Sequence, residues 1–132
     1  MSTATGTASE NKAEVTIAKV GKPAPDFNLP STKNMETLGE SISLSDYKGK
    51  WLILLFYPLD FTFVSTDSVH SHRAWIKTPR DQNGIEGLAY PLISDVGGKL
   101  AAKYNILVEE ANIALRGLFI VNPDGVLQYA VV

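Results

Sequence analysis

Pro58, Asp60, Thr62 and Ser65 share one short loop, Pro58-Leu-Asp-Phe-Thr-Phe-Val-Ser65, and Ser65 supplies a hydroxyl that could act as a nucleophile. The unbroken apolar run Trp51–Tyr57 leads into this loop, and a helix-starting segment follows it. Strand, turn and helix start is the arrangement in which α/β proteins place their chemistry. A hydrolase triad could be assembled from Ser65, His70 or His72, and Asp60 or Asp67, but no Gly-x-Ser-x-Gly elbow surrounds the serine, and a helix N-cap accounts for it more simply. His70 and His72 are two residues apart and point to different faces of a helix, so hydrogen-bonded or solvated imidazoles are expected rather than a metal site. Gly97-Gly98 ahead of a helix could hold an anion, yet the spacing fits neither a dinucleotide nor a Walker pattern and reads as a turn. Arg116 opens an otherwise apolar strand, which calls for an ion pair at the strand end or a role in a pocket.

The elements that must position these residues follow from patterning. Lys19–Leu29 is extended, because prolines at 23 and 25 bar a helix, and it forms a short edge strand. Ser41–Lys50 alternates apolar and polar and turns at Gly49. Trp51–Tyr57 is apolar throughout, which predicts burial on both faces at the centre of a parallel sheet. A helix is expected from Asp67 to Lys77, with Val69, Ala74, Trp75 and Ile76 near helical spacing, and Thr78–Gly84 ends it. Pro91–Asp95 reads as a short strand and Lys99–Leu107 as an amphipathic helix with Leu100, Tyr104 and Leu107 inward. Glu109-Glu110 reads as a solvated loop pair. Arg116–Val121 is a buried strand, Asn122–Gly125 a tight turn and Val126–Val132 the returning strand.

Size and charge narrow the class. The 132 residues are 45% hydrophobic, enough for one core, and residues 19–132 are read as one domain behind a disordered tail at 1–18. A net charge of -2 without any Lys/Arg block gives no footprint for nucleic acid, and no run approaches a membrane span. The N-terminal stretch has neither a basic start nor an apolar core, so a cytoplasmic location is expected. The chain contains no cysteine, which removes disulfides, thiolate metal sites and every thiol mechanism.

Four segments together, Val20–Phe27, Leu44–Trp51, Phe56–Val64 and Leu115–Asn122, resemble the typical two-cysteine peroxiredoxins of the alkyl hydroperoxide reductase and thiol-specific antioxidant type. The resemblance runs over residues 19–132. It implies an α/β, thioredoxin-like fold with a central mixed sheet flanked by helices. It also implies antioxidant peroxidase chemistry, thiol-dependent reduction of hydrogen peroxide and alkyl hydroperoxides. That chemistry uses no metal or organic cofactor, a thioredoxin-type reductant and a homo-oligomer, dimer or higher. In that family the loop reads Pro-x-x-x-Thr-x-x-Cys, and an Arg from a distant strand completes the pocket. Pro58, Thr62, Ser65 and Arg116 hold those positions here, with Ser65 at the nominal peroxidatic cysteine.

The departures are as informative as the match. A thiolate attacks the peroxide oxygen and becomes a sulfenic acid, which a second cysteine resolves as a disulfide. An alcohol ionises far less readily and has no sulfenic counterpart. Ser65–Trp75, moreover, matches a segment that family members carry farther downstream, after the cysteine helix and another strand. Either Ser65 replaces the cysteine, or Val64 and Ser65 straddle a missing block of about 20 to 25 residues holding one helix and one strand; the second is favoured. Val132 also precedes the family's last helix and resolving cysteine, so the resemblance predicts a catalytically inactive member. The missing strand would lie beside Trp51–Tyr57. The gap is either closed by Pro91–Ser94 pairing with Leu52–Phe56, or left as a weakened, association-prone fold. The alternative function is a non-catalytic subunit that joins intact peroxiredoxins through Val126–Val132.

Overall fold

The computed structural model describes residues 17–58 and 68–132. Its centre is an antiparallel sheet of three strands, β3 (Leu52–Phe56), β6 (Gly117–Val121) and β7 (Leu127–Val131), in the order β3-β6-β7. Two small pairs accompany it. β1 (Asn28–Pro30) lies antiparallel to β2 (Ser41–Ser43), and β4 (Leu107–Val108) to β5 (Ile113–Ala114). Two α-helices, α1 (Val69–Lys77) and α2 (Lys99–Lys103), and two 3₁₀ turns, Leu44–Tyr47 and Arg80–Gln82, complete the described elements.

The hairpin joining β6 to β7 forms where the turn residues predict it. Asn122 Oδ1 accepts from Asp124 N–H at 3.0 Å and Val126 N–H at 2.9 Å, and Gly125 adopts φ +80°, which its missing Cβ permits. β1 confirms the extended reading at the end of the proline-rich start, and Pro23 adds an isolated antiparallel bridge to Val126. Ser41–Ser43 then runs into a 3₁₀ turn at Leu44–Tyr47, closed by Asp46 Oδ2 accepting from Ser43 N–H at 2.9 Å.

The strand from Trp51 to Tyr57 corrects the sequence reading. Among the described residues β3 pairs with β6 alone, from Leu52 opposite Val121 to Phe56 opposite Gly117, and is an edge rather than the sheet centre. Ile53 and Leu55 are 65% and 57% exposed, so only one face is buried. The apolar run signalled two covered faces, but the described residues provide a layer on only one. Pro91–Ser94 does not close the gap. It turns instead towards the first strands, where Ser94 N–H donates to the Pro30 carbonyl at 2.8 Å and Thr32 N–H to the Leu92 carbonyl at 2.9 Å. A single bridge between Ser31 and Ile93 is its β pairing.

Both helices are shorter than predicted. Ser68 caps α1, its Oγ accepting from Ser71 N–H at 3.2 Å, and the helix begins at Val69. Its fully buried side chain is His72; Ala74, expected inward, is exposed, while Trp75 and Ile76 are half-buried. α2 stops at Lys103, because Asn105 takes a left-handed φ of +59° that helix cannot continue through. Leu107, predicted as helix, therefore pairs in β4. Leu100 and Tyr104 do face inward.

The core lies on one side of the three-stranded sheet. Phe56, Tyr104 and Phe119 meet pairwise with ring centroids 4.7 to 5.5 Å apart, in tilted and edge-to-face arrangements. Phe27, Leu54, Ile106, Val121 and Leu127 surround them. The Tyr104 hydroxyl donates to the Pro25 carbonyl at 3.3 Å, tying the proline-rich start to the core, and burial followed by the charge of Asp26 holds that hydroxyl well above the usual tyrosine range. The residues read as the tail, through Thr16, lie outside the described residues.

Phe119 touches both other rings and is 2% exposed. Phe119→Ala should cost about 3–5 kcal/mol of unfolding free energy, measured by urea denaturation; a loss below about 1 kcal/mol would show that the aromatic cluster does not anchor the sheet.

Candidate functional site

β3 and β6 run antiparallel, so the end of one lies beside the start of the other. Phe56 sits opposite Gly117, and one step further the chain reaches Tyr57 and Pro58 on one strand and Arg116 on the other. The structure thus brings Pro58 and Arg116 to the same end of the sheet, 58 positions apart in sequence. Pro58 is half-buried in a bend, and Arg116 is exposed. The single ion pair among the described residues joins Lys33 to Glu40 at 3.7 Å, so the expected partner for Arg116 at the strand end is not found there. Thr62 and Ser65 lie outside the described residues, as do Asp60 and Asp67.

Behind this end sits His72, which is fully buried. Its Nε2 lies 3.0 Å from the carbonyl oxygen of Ile93, and because a carbonyl can only accept, Nε2 carries a proton. Nδ1 faces the Tyr57 hydroxyl at 3.5 Å, and the Tyr57 ring also packs on Trp75 with centroids 5.6 Å apart. His72 therefore fastens α1 to both β3 and the Pro91–Asp95 segment. His70, by contrast, is exposed. The two histidines do not converge, and the described residues contain no group of three His, Asp or Glu side chains placed to hold a metal.

Asp95 is the second buried polar residue here, and the sequence reading passed over it. Its Oδ1 accepts from Leu100 N–H at 2.9 Å and its Oδ2 from Ala101 N–H at 2.8 Å. The carboxylate thus fills the N-terminus of α2, the position where Gly97-Gly98 raised the idea of a bound anion; the chain provides its own anion, and the glycines form the turn. An acidic residue a few positions before Gly-Gly and a helical stretch was the signal available. Burial pushes the Asp95 carboxyl above its ordinary value of 3.8, opposed by the two backbone N–H groups and by the charge of Lys103.

Asp95, Ile93 and Leu100 line a small cavity of about 50 Å³ whose other wall is β3 from Leu54 to Phe56 and Tyr57 just beyond it. A larger depression of about 190 Å³ lies at the opposite end of the sheet, beside the Asn122–Gly125 turn, and contains none of the candidate residues. The chemistry of the candidate end is that of a cation and a proline beside a hydrogen-bonded imidazole, without any thiol.

The described α/β arrangement is that of a thioredoxin-like protein, and the comparisons agree on the fold. The reduced 2-Cys peroxiredoxin of Plasmodium vivax superposes with a TM-score of 0.77 at 29% identity, over 86% of this chain and 71% of that one. Thioredoxin peroxidase I of Plasmodium yoelii gives the same TM-score at 31% identity, over 86% and 79%. The AhpC/TSA family profile matches residues 20–66 and 62–130. A peroxiredoxin of Schizosaccharomyces pombe is 42% identical over 83% of this chain and 69% of its own, and peroxiredoxin-2 of Bos taurus 41% over 84% and 67%. The chain belongs to the AhpC/TSA family, the peroxiredoxins.

The matches also break where the sequence reading places a gap. The two profile stretches overlap at residues 62–66 instead of running through. The S. pombe alignment spans 135 positions but uses 83% of 132 residues, about 110, which leaves about 25 positions without a counterpart here. That is the length of one helix, one strand and their connections.

Two measurements test the buried polar contacts. His72→Leu leaves the Ile93 carbonyl without its donor and should lower stability by about 1–3 kcal/mol in urea unfolding. For Asp95, the folded carboxyl holds its proton to higher pH than the unfolded chain does, so between 3.8 and the raised folded value the native state binds more protons. Its contribution to stability therefore falls as pH rises through that window. In unfolding from about pH 3.5 to about pH 7, the stability of the wild type minus that of Asp95→Asn should decline with rising pH; a flat difference would contradict the assignment.

Proposed function

We infer that this chain is a peroxiredoxin-family protein that does not turn over hydroperoxide. The observation that carries the reading is the absence of sulfur from the nucleophile position: the chain has no cysteine, while Pro58 and Arg116 stand at one end of the β3–β6 pair. In the family's pocket a thiolate attacks one peroxide oxygen, and an arginine stabilises charge moving onto the other. Thr62 would hydrogen-bond the nucleophile or the peroxide, and Pro58 would shield it. Without an ionisable sulfur those groups polarise nothing, and no sulfenic acid can form for a thioredoxin-type reductant to clear.

We place Ser65 after the missing block rather than at the cysteine position. Support comes from the overlap of the two profile stretches at 62–66 and from the roughly 25 positions that the relatives carry and this chain lacks. On this reading the serine serves the start of α1. The cytoplasmic location and self-association belong to the same reading and rest on likeness to the family. An association role with intact peroxiredoxins has one structural support, the exposure of Tyr129 and Val131 on β7, at 50% and 47%.

A coupled assay with hydrogen peroxide, thioredoxin, its reductase and NADPH tests the inference. NADPH loss should match the protein-free control, and Ser65→Cys should stay at that level too. Turnover by the wild type would overturn the inactive reading, whereas turnover by Ser65→Cys alone would place Ser65 at the peroxidatic position.

A further inference from the structure

The chain leaves α1 through a tight turn whose backbone admits few residues. Asn83 takes a left-handed conformation, φ 66° and ψ 21°, which asparagine tolerates better than most side chains. Gly84 follows it, and a Cβ there would collide with the Thr78 carbonyl. The turn thus admits asparagine directly before glycine, and that order is chemically labile. With no side chain on the second residue, its backbone nitrogen can approach the asparagine side-chain carbonyl carbon unhindered. Asn83 is exposed, and its side-chain amide makes no hydrogen bond among the described residues, so water and base reach Cγ.

The folded turn holds the attacking nitrogen away. Gly84 N–H donates to the Pro79 carbonyl at 2.9 Å, and the Asn83 carbonyl accepts from Trp75 Nε1 at 2.9 Å. A ψ of 21° sets Gly84 N nearly in line with the backbone nitrogen of Asn83 and away from its Cβ. Ring closure on Cγ therefore requires a large rotation about the Asn83 Cα–C bond. The peptide unit is rigid, so that rotation carries the Asn83 carbonyl and the Gly84 nitrogen together and breaks both hydrogen bonds.

We propose that Asn83 is a self-modification site, its deamidation gated by opening of the 79–84 turn. In the opened turn the Gly84 nitrogen loses its proton to base and attacks Asn83 Cγ. A C–N bond forms and closes a five-membered imide, the bond from Cγ to the side-chain nitrogen breaks, and ammonia leaves with, in net, the proton that Gly84 lost. Water then opens the ring at either carbonyl, giving aspartate or isoaspartate with no change of oxidation state. The isoaspartyl product has one more backbone carbon and one more negative charge than asparagine, and a turn held by the Gly84–Pro79 and Trp75–Asn83 contacts does not accommodate the longer path. The Trp75 ring packs on Tyr57 with centroids 5.6 Å apart, beside Pro58, so the change loosens the end of α1 where it meets the end of β3. The modification stands independently of whether the chain reduces peroxide.

The test holds the full chain in mildly alkaline buffer, folded or unfolded in guanidinium chloride, and follows residue 83 by peptide mass mapping, with isoaspartate separated from aspartate by chromatography. Product should form at Asn83 in both samples, at least about 10-fold more slowly in the folded chain. Trp75→Phe, which keeps a ring beside Tyr57 but removes the indole donor, should speed the folded reaction at least about 3-fold. Equal rates in the folded and unfolded chain would overturn the proposal, as would an unmodified Asn83 in the unfolded chain or a folded Trp75→Phe that reacts at the wild-type rate. Should Trp75→Phe fail to fold, the wild type is followed in graded denaturant below its unfolding transition. There the deamidation rate and the hydrogen-exchange rate of the Gly84 amide should rise together, and deamidation that stays constant while that amide opens would overturn the proposal.

Discussion

The antiparallel ladder between β3 and β6 is the constraint on which the rest depends. Its register sets Leu54 against Phe119 and Leu52 against Val121, so the core-facing side chains of both strands meet on one surface. α2 then needs only Leu100, Ala101 and Tyr104 to close over them. The same ladder, continued by one residue, brings Tyr57 and Pro58 alongside Arg116. A slip of one residue would turn Phe119 and Leu54 outward and separate the proline from the arginine, because the side-chain period of a strand is two. Core and site are therefore fixed by a single pairing.

That pairing leaves the other surface of the sheet with nothing above it among the described residues. In an isolated antiparallel sheet, water-facing positions would be polar; here the exposed ones include Ile53, Leu55, Tyr129 and Val131. Such residues suit strands with layers on both sides, and their exposure is the structural counterpart of the roughly 25 positions that the relatives have and this chain lacks. The outer edge of β3, beside which the resemblance places the absent strand, carries no strand among the described residues. A fold with an open edge and an apolar face retains the family's frame, but it carries the driving force for association in the same strands that build its core.

The polar interior follows a different rule. Burying His72 and Asp95 costs their hydration, and each recovers it from the backbone: His72 from the Ile93 carbonyl, Asp95 from two amide groups at the start of α2. Both residues join segments that no described sheet connects, α1 to Pro91–Asp95 and Pro91–Asp95 to α2. Their chemistry is consumed in holding the scaffold. With no thiol in the chain, the end of the sheet bearing Pro58 and Arg116 offers a cation and a proline but no sulfur nucleophile.

Local chemistry determined much of this from the residues alone. The Asn122–Gly125 hairpin, the extended proline-rich start, the inward Leu100 and Tyr104 and the loss of thiol chemistry all follow from side-chain type or short-range pattern, and the motifs around Pro58 and Arg116 sufficed to identify the family. Three features were settled only by tertiary structure. An apolar run such as Trp51–Tyr57 states that both faces favour burial, but not whether neighbours exist to bury them, so its place at the edge depended on the count of strands available. The burial of His72 shows only once the chain folds, because its partner at Ile93 lies on a separate segment, whereas Asp95 caps Leu100 and Ala101 a few residues on and left a local signal that the sequence reading passed over. The early end of α2 turned on Asn105 adopting a left-handed backbone that lets Ile106 reach the core, where it is 1% exposed. In each case the sequence carried the preference, and the long-range contact that satisfied or denied it came from packing.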